Sequence, residues 1–498
     1  MDGRRVVPAW VTVTTAVTVL AALYAASFLV CVAIRLTFGF ELSWMESGMQ
    51  AMTARLDAHQ SMYAAPSPSY VPFIYPPLYY IVAHALGRAA PALAGPMAMR
   101  LLSSLSVLAT LLALWNVLGR RTASLRMRLL LSAVFLSFYG RFEFWHDTSR
   151  VDSLFVLWMF CAMALLVEGE DILSAVGAGI AGGLAILTKQ PALPLLLATG
   201  GVVMFTRGEA RRVLWAVGVA CACALAGVAV LGELRNPWFY YYVLTVPATH
   251  PLVVGHLDGP VFVLLTMPVF VFAVVWLLRD RAAPTWWRPV PAGAPVRWAL
   301  MFVVTGAIMS VLHLKQGASV NFFLPLVPIG IVALAPVLAQ LGARRAEMLL
   351  LAQLLVVLYN PLTAIPTARD WQAGFQLTGT LRAVPGDVFL PQFPSYLALA
   401  GKAPVAHGVA VCDLADLRPD LMRAIDDQLQ GGRFAAAVSW REHGRHETCH
   451  PDIIGPWFRS AGAVPEGTSF FSHDHGRWMG SVFRYVGSPE EHAPGGHS

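Results

Sequence analysis

Apolar residues run in stretches close to twenty along most of the chain, the length a helix needs to cross a hydrocarbon core of about 30 Å. Such stretches stand near 10–34, 98–118, 128–141, 153–168, 172–188, 190–206, 212–232, 260–279, 298–313, 321–341 and 347–363, eleven in all. They predict an all-α polytopic membrane domain over residues 1–365. The third stretch is short and has to borrow apolar flanks or tilt little. The first is too long for the apolar region of a signal peptide and no small-residue cleavage site follows it, so it is expected to remain as an anchor. From about residue 366 the pattern changes. Short apolar runs, DVFLPQF and FAAAVSW, alternate with the helical period of LRPDLMRAIDDQLQ, and eight of the fourteen histidines fall in this last quarter. A small α/β domain is expected over 366–486 and a disordered tail over 487–498.

Composition narrows the class. Of 498 residues, 57% are hydrophobic and 13% charged, against about 25% charged in a soluble domain. Mean hydropathy is +0.60. A soluble single-domain enzyme, a disordered chain, a fibrous repeat and a disulfide-stapled secreted module are excluded. The formal charge of +6 is spread without a dense basic run, so no nucleic-acid partner is expected.

Loop charges set the topology. The stretch 76–90, PPLYYIVAHALGRAA, is apolar but short and opens on two prolines. If it lies at the surface, 15 basic residues fall on the side of the N-terminus and 9 on the other; if it crosses, the ratio inverts. The positive-inside rule therefore reads it as an interfacial helix, with the N-terminus cytoplasmic and the C-terminal domain outside. Polar residues then gather on the outer side. The first outer loop, 36–75, carries Glu41, Glu46, Asp57 and His59 with Trp44, Tyr63, Tyr70 and Tyr75. Further along come GRFEFWHDTSRVDSLF with Glu143, His146, Asp147, Arg150 and Asp152, LTKQP with Lys189, an aromatic run at 236–242, and LKQGASVNFFLP with Lys315 and Asn321. Lysine is scarce, at positions 189, 315 and 402 alone.

Each of these has a plainer reading. Arg35, Arg100 and Arg235 sit at helix ends, where snorkelling accounts for them. The aromatic run fits an interfacial belt as well as a sugar-stacking surface. His250 and His256 read as solvated or hydrogen-bonded loop residues, and REHGRHETCH lacks the spacing of a metal site. Cys31, Cys161, Cys221 and Cys223 lie in apolar spans, whereas Cys412 and Cys449 would face an oxidising compartment, where a disulfide stays open. Glu46 lies in SWMESGMQAMTARLDAHQ, whose Met45, Met49, Met52 and Leu56 share one face of a surface helix.

A first span, an outer loop with an acidic residue early in a surface helix (SWMESGM), YPPLYY, SRVDSLF, ILTKQPAL and HLKQGASVNFFLPLVP follow one another in order. This set resembles the GT-C superfamily of polytopic membrane glycosyltransferases, above all the branch with the bacterial aminoarabinose and mannosyl transferases. The resemblance spans roughly residues 10–430. It implies a plasma-membrane enzyme that moves a sugar from a polyprenyl-phosphate donor to a lipid, glycan or protein acceptor on the outer face, with inversion. It implies Glu46 as the general base; Arg150, Lys189 and Lys315 for the lipid phosphate; Asp152 to orient Arg150 or contact a sugar hydroxyl; and Tyr75 and Asn321 as hydrogen-bond donors. Met45 stands where many relatives have an aspartate before the glutamate, and no glutamate follows Tyr75-Pro76-Pro77. No cofactor is assigned, and the need for a divalent metal stays open. The rival class is a transporter or flippase of lipid-linked sugars, disfavoured because polar groups gather on one side and no half of the chain repeats.

Overall fold

The computed structural model describes residues 9–122, 124–279, 293–440 and the strand segments 458–463, 470–472, 476–478 and 480–485. REHGRHETCH with Cys449, most of the 281–297 loop and the 487–498 tail lie outside the described residues. Each of the eleven apolar stretches contains a helix. The long α1 (Ala9–Leu36) is followed by two short helices, α2 (Glu46–Asp57) and α3 (Leu78–Ala89). Then come α4 (Pro96–Gly119), α5 (Leu125–Ser137), α6 (Asp152–Glu168), α7 (Ile172–Ile186), α8 (Ala192–Arg207) and α9 (Ala210–Val230). The aromatic run forms α10 (Pro237–Tyr240), a π-helical turn (Tyr241–Thr245) and α11 (Val246–Thr249). The apolar part ends with α12 (Gly259–Thr266), α13 (Pro268–Leu278), α14 (Ala294–His313), α15 (Leu326–Leu341) and α16 (Ala343–Val356), and α17 (Ala368–Ala383) leads out of it.

Among the described residues, five helices are long and apolar enough to cross a membrane unaided: α1, α4, α9, α14 and the segment Val320–Leu341. The chain is a multi-pass membrane protein. With twelve residues, α3 is only about 18 Å long and cannot cross. Close packing comes from small residues: a Cβ on Gly183 of α7 would lie 2.6 Å from Cβ of Cys223 on α9, so these two backbones approach as only glycine allows.

The 260–279 stretch, expected as one span, is instead broken. Helices α12 and α13 meet at 81°. Pro268 has no N–H to donate and its ring excludes the carbonyl four residues back. The Phe270 N–H turns to the Met267 carbonyl at 3.0 Å, which leaves the Thr266 carbonyl without a helical partner. Buried Gln353 of α16 covers it, its Nε2 donating at 2.7 Å. An unpaired carbonyl here would have no water to turn to. Gln353→Leu is therefore expected to destabilise the protein by about 1–3 kcal/mol, read as a lower melting temperature in detergent; an unchanged melt would show that the carbonyl has another donor.

In the C-terminal part, the two apolar runs are strands β1 (Asp387–Phe389) and β2 (Phe434–Trp440), paired in parallel. Between them lie α18 (Ser395–Leu399), α19 (Gly408–Cys412) and α20 (Pro419–Gln430). Leu421, Met422, Ile425 and Leu429 form the buried face of α20. The sheet is completed by β3 (Phe458–Ala463) and β6 (Gly480–Tyr485) in the order β1-β2-β6-β3, beside a hairpin of β4 (Phe470–Ser472) and β5 (Gly476–Trp478). Cys412 is disulfide-bonded, while Cys31, Cys161, Cys221 and Cys223 are free. A shared apolar core fastens this part to the first loop: Phe40 stacks on Tyr396 at 5.6 Å, and Trp371 meets Phe38 edge-on at 5.1 Å.

Candidate functional site

The chain leaves α5 through two short turns and enters α6 at Asp152. Two residues in these turns, Glu143 and Phe144, have φ of 53° and 56°, a left-handed conformation that costs energy in non-glycine residues and recurs at functional sites. Asp152 is the first residue of α6, where the helix dipole favours a carboxylate. Its Oδ1 accepts from Lys189 Nζ at 2.6 Å and from Asn321 Nδ2 at 2.9 Å, and its Oδ2 faces Arg150 Nε at 3.3 Å. Lys189 comes from the turn between α7 and α8, and Asn321 from the turn before α15. Three stretches far apart in sequence thus meet on one carboxylate. All four side chains are buried. Two cations on one anion leave a surplus positive charge in a place with little water, which is the condition for binding an anion. The Arg150 guanidinium lies 3.6 Å above the Trp145 ring and 5.7 Å from that of Trp44, and Nη1 reaches Ser43 Oγ at 3.5 Å.

Glu46 lies beside this cluster but is fully engaged. Arg100 grips it with two donors, Nε to Oε1 at 3.0 Å and Nη2 to Oε2 at 2.5 Å. The backbone N–H groups of Leu42 and Ser149 each donate to it at 2.9 Å. Both side chains are wholly buried. Burial alone would raise the Glu46 carboxyl, but the Arg100 charge and these hydrogen bonds outweigh it and hold the group below the usual range. A base needs a free lone pair and access to its proton donor. In this arrangement Glu46 ties α2, α4 and the loop before Arg150 together.

Arg100 and Arg35, expected to snorkel, are both 0% exposed. Arg100 also donates to the Arg35 and Phe40 carbonyls, at 3.2 and 2.6 Å, and to that of Phe38. Arg35 Nε pairs with Asp147 Oδ2 at 2.8 Å, and Tyr139 donates to the same oxygen at 2.9 Å. The first loop and the C-terminal part roof over these helix ends, so no water is there to snorkel to. Arg235 does remain exposed.

The Tyr75 ring packs edge-on against Phe73 at 6.4 Å, and burial raises its hydroxyl above its ordinary pKa, with the charges of Arg150, Asp152 and Asp413 acting on it as well. Lys315 does not join Asp152. Its Nζ donates to the Pro247 carbonyl at 2.8 Å, and the chain around it pairs with the 251–253 loop through Gln316 N to Pro251 O at 3.0 Å and Val253 N to Leu314 O at 2.6 Å. It braces the loop that carries His250. Gln190, unassigned from sequence, donates to the carbonyls of Ile74 at 2.5 Å and Val243 at 3.1 Å. It fixes the strand of chain that ends in Tyr75, and its place beside Lys189 was the only hint. His256 is hydrogen-bonded, Nδ1 lying 2.9 Å from the His313 carbonyl. Among the described residues, no group of three His, Cys, Asp or Glu converges as a metal ion would require.

The bundle thus holds a buried cluster of two cations and one carboxylate beneath its first loop. Residues 73–260 match the model for Glycosyltransferase family 87. The whole fold superposes on that of ArnT from Cupriavidus metallidurans in the apo state, at 14% identity and a TM-score of 0.59, covering 96% of this chain and 99% of that one. The same protein bound to undecaprenyl phosphate superposes at 14% identity and 0.57, covering 93% and 97%. No curated protein matches by sequence. The chain thus shares the fold of ArnT, and part of it is similar to a glycosyltransferase family.

Proposed function

We propose that the protein transfers a sugar from a polyprenyl-phosphate donor to an acceptor hydroxyl at the outer face of the plasma membrane, with the N-terminus cytoplasmic. The observation that carries this reading is the buried pair of cations, Arg150 and Lys189, sharing the single carboxylate of Asp152. A phosphate leaving the anomeric carbon gains negative charge, and preorganised cations in a dehydrated site stabilise that charge strongly. Arg150 offers a planar fork and Lys189 a compact point charge. Asp152, to which Asn321 also donates, holds Lys189 in place, and Tyr75 is the hydroxyl assigned to donate to sugar or phosphate. Attack from the side opposite the phosphate inverts the anomeric carbon. The solved ArnT complex holds undecaprenyl phosphate, which supports a lipid phosphate as leaving group here. The acceptor is a lipid, glycan or protein, and membrane lipids surround the bundle.

The test is transfer in proteoliposomes from a panel of polyprenyl-phosphate sugars. At least one donor is expected to give a product whose formation needs the protein; no transfer from any, with the protein folded, would overturn the reading.

A further inference from the structure

The aromatic run at 236–242, which the sequence leaves between a membrane belt and a sugar-stacking surface, has a definite place in the fold. It is fastened to the same two turns that build the cation cluster. In the turn between α7 and α8, Lys189 goes to Asp152 while its neighbour Gln190 donates to the Val243 carbonyl at 3.1 Å. In the segment before α15, Asn321 goes to Asp152 while Lys315 donates to the Pro247 carbonyl at 2.8 Å. The π-helical turn that ends the aromatic run is thereby pinned at Val243 and again at Pro247. Such turns are rare and recur at functional sites.

The rings turn toward protein. Trp238 meets Tyr241 edge-on at 5.5 Å, and Tyr242 lies 5.3 Å from Tyr241 and 6.2 Å from Trp238. The guanidinium of Arg418, from the C-terminal part, stands 5.5 Å from the Trp238 ring and pairs with Asp420 through Nε at 2.8 Å and Nη2 at 2.5 Å. A belt would offer these rings to lipid headgroups; here a charged pair of the C-terminal part stands over one of them. Trp238, Tyr241 and Arg418 are half-buried and Asp420 is exposed, so the array is open along that edge. Tyr242 is 0% exposed. Yet among the described residues the hydroxyls of both Tyr241 and Tyr242 have no hydrogen-bond partner. Buried tyrosine hydroxyls are usually paired, and an unpaired one costs free energy unless something else meets it.

We propose that Trp238, Tyr241, Tyr242, Arg418 and Asp420 form the acceptor subsite and that the acceptor is a glycan. This rests on the proposed glycosyl transfer and names the acceptor class for it. A sugar ring offers C–H faces, which suit the negative face of an aromatic ring, and an edge of hydroxyls that both donate and accept. The Tyr241 and Tyr242 hydroxyls and Arg418 supply donors, and Asp420 accepts, so the array can pair that edge. A diacylglycerol acceptor would set its apolar chains against these polar groups and leave them unpaired. An extended peptide is held largely through its backbone, whereas this array presents rings and side-chain tips. Because the platform is bolted to the turns that carry Lys189 and Asn321, a sugar seated on it is held in fixed relation to the donor phosphate.

The experiment uses the full-length protein in proteoliposomes and compares three acceptor probes: a panel of methyl glycosides and short oligosaccharides, a peptide containing serine and threonine, and diacylglycerol in the bilayer. A failure of the parent reading shows first, as no transfer from any donor to any probe. Transfer to glycosides is expected; transfer to the peptide or to diacylglycerol alone would overturn the inference and leave the parent reading standing. Trp238→Ala is expected to raise the glycoside KM more than about tenfold, with the donor KM changed less than about twofold. Tyr242→Phe is the sharper probe. Its hydroxyl has no partner in the protein, so its removal should leave the melting temperature unchanged or higher, yet raise the glycoside KM about three- to tenfold. Asp420→Asn, at an exposed position, should raise it about tenfold and decides the matter if Trp238→Ala does not fold. A wild-type glycoside KM in both Tyr242→Phe and Asp420→Asn would overturn the inference, as would a donor KM that rises as much as the glycoside KM in Trp238→Ala.

Discussion

Lys189→Met is expected to slow sugar transfer by about 10²–10³-fold, the effect of removing one preorganised group that faces developing negative charge. Methionine keeps the length and apolar stem of lysine, so the packing of the side chain over Phe322, 4.7 Å from its ring, survives. Asp152 would still be compensated by Arg150 and Asn321, so the fold should hold. The loss should therefore appear in the rate and in the affinity for polyprenyl phosphate, with the melting temperature little changed. Lys189→Arg should recover only part of the activity, because a planar fork cannot occupy the point that the ammonium holds 2.6 Å from Asp152 Oδ1, an oxygen that Asn321 also occupies. Wild-type transfer by Lys189→Met would remove Lys189 from the phosphate site.

Arg100→Gln is expected to be among the most destabilising single changes, costing about 3–5 kcal/mol, because it leaves the buried Glu46 charge without its partner. Glu46→Gln should be comparably harmful for the mirror reason. The double variant should lose less than the sum of the two, since neither charge remains, and a double-mutant cycle on thermal unfolding measures the difference. Losses that simply add would mean that the pair is not coupled. The same variants separate clamp from base: a Glu46→Gln protein that melts like wild type yet transfers nothing would return the base to Glu46. The pH dependence has a definite sign. The folded Glu46 carboxyl lies below its ordinary value of 4.5, so its stabilisation is complete above that value and is lost as pH falls through the lower folded one.

Much of the helical fold was legible in the sequence. Length and apolarity alone place the helices, because a segment crossing hydrocarbon must satisfy its own backbone. The short α3 and the strands β1 and β2 were legible too, from the double proline and from the two apolar runs around a helical period. The bend at Met267 was partly written in Pro268, but its tolerance depends on Gln353, which is 85 residues on and in contact only after α16 has packed. The resemblance picked out Arg150, Asp152, Lys189 and Asn321, and the fold brings those four together. Lys315 shared the Lys-Gln pair and the outer position of Lys189 yet braces a loop, since spacing along the chain cannot tell a free ammonium from one bound to a carbonyl.

What the sequence determined by itself is a polytopic helical membrane protein whose charged residues are few and gather at one end, because hydrophobicity is additive along a segment and needs no knowledge of neighbours. What only the tertiary structure decided is the work of each charge. That Glu46 is gripped by Arg100 and by the Ser149 N–H, and that Lys189 and Asn321 share one oxygen of Asp152, depends on how the helices and the first loop pack. Electrostatic roles are set by distances of a few ångströms between residues tens or hundreds of positions apart, and those distances exist only once the chain has folded.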